Sequence, residues 1–98
     1  PVRRWDTPAR EGVAGLLDPA RVRAFARAYL APLADEPALL ATLTTYLRRH
    51  GSLLATAEEL AVHRNTVRNR LVRIESLLGV SLDDPQVRVD AWVALHSR

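Results

Sequence analysis

Apolar residues recur every three or four positions along most of this chain, and breaking residues divide the pattern into helical segments. Val22, Phe25, Ala26, Tyr29, Leu30 and Leu33 form one stripe, ended near Pro32. Leu39, Leu40, Leu43, Tyr46 and Leu47 form a second, which runs to Gly51, a residue suited to the left-handed conformation that ends helices. Ser52 then stands at a capping position. The third segment, about 53–60, is expected to bury Leu54, Ala57 and Leu60, with Ala57 small where a crossing helix must come close. A tight corner, Ala61-Val62-His63, follows. Val62 is expected to turn back into the core, and Ala61 takes the left-handed position that glycine usually fills.

The fourth segment has two unlike faces. With Val67 at zero and about 100° per residue, Leu71, Ile74 and Leu78 fall within about 40° of it, while Asn65, Asn69, Val72 and Ser76 lie opposite. Gly79 closes this helix, and a last one carries Val87, Val89, Ala91, Trp92, Ala94 and Leu95 over the core, Trp92 included. Three acid–proline steps mark helix starts: Asp18-Pro19, Glu36-Pro37 and Asp84-Pro85. Proline needs no amide donor at the first helical position, and the acid ahead of it can accept from the free amides. The pattern predicts an all-α bundle of about five helices containing a helix-turn-helix. Residues 1–35 read as an N-terminal arm and helix, and 36–98 as the helix-turn-helix domain.

Composition narrows the function classes. The chain has 98 residues and 48% hydrophobic content, enough for one core without staples. It has no cysteine, which removes disulfide frameworks and thiolate metal sites. No apolar run approaches the roughly 20 residues of a membrane helix, and no signal-peptide core opens the chain, so a cytoplasmic location is expected. Pro1 in place of methionine, followed by the polar stretch Arg3–Pro8, suggests a piece of a longer protein. Net charge is +3 and all 14 positive residues are arginine. Arginine forks well onto guanine or phosphate, but codon usage in a GC-rich genome gives the same composition, so position must decide.

Position points to the start of the fourth helix. A helix entering the major groove uses its first turns for base edges, and later cations meet the backbone. Arg64, Asn65, Arg68 and Asn69 are therefore the candidates for base contacts. Arginine can donate twice to guanine, and asparagine can pair with adenine. His63, Thr66 and Arg73 are the candidates for phosphate contacts, with His63 equally readable as a helix cap. The alternative for the arginines is an ordinary solvated face, with Arg68 or Arg70 bridging to Glu58, Glu59 or Glu75 and Arg70 the foremost structural candidate. Asp83 and Asp84 read as capping residues rather than metal ligands. No phosphate loop, nucleophile–base set or supported carboxylate pair is present, so neither an enzyme nor a cofactor is expected.

From Leu39 to Leu95 the chain resembles the C-terminal helix-turn-helix domain of PucR/CdaR-type bacterial transcription regulators. The resemblance is carried by Leu40-x-x-Leu43-x-x-Tyr46-Leu47, Thr56-Ala57-x-x-Leu60, His63-Arg64-Asn65-Thr66-Val67, Arg70-Leu71-x-x-Ile74-Glu75, Leu78-Gly79 and Asp83-Asp84-Pro85. Upstream, Phe25-x-x-x-Tyr29-Leu30-x-Pro32-Leu33 resembles the family's preceding segment. The corner and second helix are also similar to those of the nucleoid protein Fis, which implies docking in the major groove with His63, Arg64, Thr66 and Asn69 at contact positions. Asn69 departs from the tyrosine common in the regulator family. The resemblance further implies an upstream domain sensing purine metabolites, sugar diacids or amino acids.

The function expected is sequence-specific binding of double-stranded DNA as the output domain of a regulator. One recognition helix covers few base pairs, so a homodimer is expected, with Phe25, Tyr29 and Leu33 in the arm as its candidate interface or, alternatively, as packing on the domain itself. A helical adaptor offering its Arg-rich face to an acidic protein is the competing class. RNA binding ranks below both, because the chain lacks an aromatic stacking platform.

Overall fold

Most helix starts carry a side chain that accepts from a free amide of the first turn. The computed structural model describes residues 12–98, so the polar start Arg3–Pro8 lies outside the described residues. After a short 3-10 turn at Val13–Leu16 come α1 (Pro19–Leu30), a second 3-10 turn (Ala31–Leu33), α2 (Pro37–Arg48), α3 (Leu53–Leu60), α4 (Arg64–Leu78) and α5 (Pro85–Leu95). The five α-helices expected are present, and no strand occurs among the described residues.

Asp18 accepts from the Ala20 amide at 3.1 Å, Ser52 from Ala55 at 3.0 Å and Asp84 from Gln86 at 2.9 Å. Glu36 departs from the expected capping role. Its backbone carbonyl receives the Leu39 and Leu40 amides, and its carboxylate makes no cap because it reaches across to Arg73 on α4. Gly79 ends α4 in the left-handed conformation, with its amide on the Glu75 carbonyl at 2.8 Å.

The core is a set of leucines and small residues shared by all five helices. Ala26 and Leu30 of α1, Leu33 of the second 3-10 turn, Leu39 and Leu43 of α2, Ala57 of α3, Val67, Leu71 and Ile74 of α4, and Ala91, Ala94 and Leu95 of α5 are buried together. The helix–turn–helix pair α3–α4 packs on α2, and α1 lies across α5. Arg48 of α2 pairs with Glu59 of α3, holding the Glu59 carboxyl below its ordinary pKa through their hydrogen bond. This pair fastens α3 to α2 at the surface, where such contacts contribute little.

Three positions differ from the sequence pattern. Leu54 is 61% exposed, because the face of α3 turned to the core is set by Thr56 and Ala57, one turn-register away from it. Trp92 is 42% exposed and stacks on His96 with centroids 4.0 Å apart, and Val89 is exposed as well. The inward row of α5 is Ala91, Ala94 and Leu95; the two alanines let α1 and α2 approach closely and leave the indole at the rim. Leu33 is wholly buried within the chain, which removes it from any meeting surface between copies. Phe25 stays exposed and Tyr29 half-buried, tilted on each other at 5.4 Å.

Ala61 holds φ 56 and ψ 44. Its amide reaches the Glu58 carbonyl at 3.2 Å, and the Val62 amide reaches Ala57 at 3.0 Å, which closes α3 and folds Val62 back against the core. An L-residue in this region costs roughly 1–2 kcal/mol. Ala61→Gly should therefore raise stability by about 0.5–1 kcal/mol after glycine's larger unfolded-state entropy is deducted. A thermal melt should move up by a few degrees; a lower midpoint would mean that the corner is not strained.

Candidate nucleic-acid interface

The corner and the cap aim the first turns of α4 outward. His63 sits at the N-cap with extended backbone, and its Nδ1 accepts from the Asn65 amide at 3.0 Å. That bond leaves Nε2 as the ring's free donor in an exposed side chain. Both readings of His63 are thus compatible, since capping employs one nitrogen and leaves the other to solvent.

The seven candidates lie on one helix and its cap. Arg64, Asn65, Arg68, Asn69 and Arg73 are exposed, while Thr66 is half-buried. Val67, Leu71 and Ile74, on the opposite side, are buried. At about 100° per residue, Arg64, Asn65 and Arg68 share one flank of the free face and Thr66, Asn69 and Arg73 the other. The first flank is already ordered internally: Arg68 Nη1 donates to Asn65 Oδ1 at 3.3 Å. None of the glutamates weighed as partners of Arg68 is bonded to it, so its fork is held toward the helix start and keeps donors to spare.

The second flank is tied to α2. Arg73 pairs with Glu36 at 3.2 Å, an exposed contact of two side chains. Arg70 Nη1 donates to Thr42 Oγ1 at 3.2 Å. Arg70 is structural, as expected from the sequence, but its partner is a hydroxyl on α2 and not one of the glutamates. Thr42 is fully buried and donates in turn to the Ala38 carbonyl at 2.7 Å. On the far end, Glu75 Oε2 accepts from the Leu82 amide at 2.8 Å. These bonds tie α4 to its neighbours and add to the buried row of Val67, Leu71 and Ile74 that seats it. Glu36 and Thr42 were not recognisable beforehand as positioning residues. Their bonds span 37 and 28 residues, and no local signal marks such pairs.

The arrangement is an exposed ridge of amide and guanidinium donors on a helix seated by its apolar face. No cluster of histidine, cysteine or acidic side chains suited to a metal ion occurs among the described residues, and none of their helices is long and apolar enough to cross a membrane.

The chain is 46% identical over 84 residues to an uncharacterized protein encoded in the pkwA 5' region of Thermomonospora curvata, covering 82% of this chain and 47% of that protein. It is 45% identical over 62 residues to the purine catabolism regulatory protein of Bacillus subtilis, covering 63% of this chain and 12% of that protein. An uncharacterized protein of Mycobacterium tuberculosis is 48% identical over 63 residues, with 63% and 14% covered. The chain thus spans about half or less of the length of these relatives. No solved structure matches it. The PucR C-terminal helix-turn-helix domain matches residues 39–97, from the start of α2 to just past α5. With the corner, the cap and the seated α4 all inside the matched span, the chain belongs to the PucR C-terminal helix-turn-helix domain family.

Proposed function

We propose that residues 36–98 bind double-stranded DNA as the output domain of a bacterial transcription regulator, with α4 lying in the major groove. Arg64, Asn65, Arg68 and Asn69 read base edges, and His63, Thr66 and Arg73 contact the phosphate backbone. The observation that carries this reading is the exposure of the first turns of α4 on one ridge, directly after a left-handed corner, while the opposite face is sealed in the core. Two copies, about one helical turn of DNA apart, supply useful specificity. The greater length of the relatives leaves room for an effector-sensing domain ahead of this one.

Arg73 exchanges Glu36 for a phosphate on binding. The exposed ion pair is worth only about 0–1 kcal/mol, so its loss is a small cost. Counterion release makes binding strongly salt-dependent. Titrating the chain and its Arg73→Ala variant against duplexes at several salt concentrations tests the proposal. The variant should bind all sequences more weakly by a similar factor and flatten the salt slope by about 1. A changed base preference would place Arg73 among the reading residues instead. Equal binding to unrelated polyanions or acidic proteins, with no duplex preference, would reject DNA binding in favour of an adaptor.

A further inference from the structure

Leu16, Leu17, Phe25 and Val89 leave apolar surface in solvent on one side of the molecule, Leu16 71% and Val89 55% exposed. They line an open groove of about 650 Å³ between α1, the turn before it, and α5, with Val22 and Val93 among its walls. Single exposed apolar side chains need no explanation, but a contiguous patch of this kind marks an interaction surface. Asp18, Arg21 and Asp90 also line the groove. Asp18 is engaged as a helix cap and Asp90 accepts one bond from Gln86, whereas Arg21 makes no salt bridge among the described residues.

We propose that this groove is where two copies of the chain meet about a two-fold axis. In such a contact the same patch serves both sides, so it must complement itself. An apolar strip carrying both signs does so: Arg21 of each copy faces the partner's Asp90, and the leucine, phenylalanine and valine surfaces close on each other. The position also suits a DNA reader. α1 packs on α5, while α4 packs on α2, α3 and Ala31–Leu33, so joining copies through α1 and α5 covers none of the residues from His63 to Arg73 on the free ridge. The contact rests on the DNA-binding reading for its purpose only. Self-association is measured without DNA, so either idea can fail alone.

Sedimentation equilibrium of the chain from micromolar to millimolar concentration is the test. A reversible dimer is expected. Val89→Arg should weaken it by about tenfold or more, as loss of a central apolar contact does. Arg21→Asp should weaken it too, and Arg21→Asp combined with Asp90→Arg should restore it, with helical content and melting unchanged in each. A chain monomeric throughout the range would overturn the proposal and assign the groove to other polypeptide. A dimer indifferent to both substitutions would overturn it as well, because the copies would then meet elsewhere.

Discussion

Replacing Arg64 and Asn65 together by alanine should abolish the preference for a cognate site over random duplex while leaving the thermal melt where it was. Each bidentate pairing with a base contributes about 1–3 kcal/mol of discrimination, so losing two should lower the specificity ratio by roughly 30- to 10⁴-fold. The melt is spared because both side chains are exposed and the bond that caps the helix runs from the backbone amide of residue 65 to His63, which alanine keeps. The effect includes an indirect part. Asn65 Oδ1 is the acceptor that holds Arg68, so Asn65→Ala also frees that guanidinium. A double-mutant cycle between positions 65 and 68 should therefore show coupling, whereas positions 64 and 73, on opposite flanks, should add. Competition binding with cognate and scrambled duplexes reads the ratio. Retained preference would mean that bases are read from another part of the molecule.

The features that made this ridge legible are local ones. Ser52 and Gly79 act within one turn of where they stand, as do the Asp18-Pro19 and Asp84-Pro85 steps, which is why the start of α3, the end of α4 and the starts of α1 and α5 follow from them. The two faces of α4 were legible because Val67, Leu71 and Ile74 recur on a helical period with amides and arginines between them. The last helix had no such contrast. Val87, Val89, Ala91, Trp92, Val93, Ala94 and Leu95 surround its axis, so the neighbours decide which side is buried, and α1 and α2 cover Ala91, Ala94 and Leu95. Leu54 was misplaced for a related reason: α3 has apolar residues on several sides, and a pattern of eight residues does not fix its rotation. The ties of Arg70 to Thr42 and of Arg73 to Glu36 depend on how α4 lies against α2, a relation between segments that no spacing along the chain encodes.

Ile74→Ala and Val72→Ala should have opposite fates, although both remove carbon atoms from α4 two residues apart. Ile74 is fully buried against the other helices, and truncating such a side chain costs about 2–5 kcal/mol through lost burial and the cavity left behind. For a domain whose total stability is of the order of 5–15 kcal/mol, this is a large fraction, and the midpoint should fall by roughly 10 °C or more. Val72 projects from the free face and is mostly in solvent, so its truncation should change stability by no more than about 0.5 kcal/mol. The denaturant midpoint should drop in the first variant with an unchanged slope, and stay in place in the second. The comparison bears on function because it measures the rotation of α4. If Val72→Ala proved the costly change, the helix would be turned by about 140°, at roughly 100° per residue, and the ridge of Asn65 and Asn69 would face the core. The ridge reads DNA only if the isoleucine, and not the valine, is what holds the helix down.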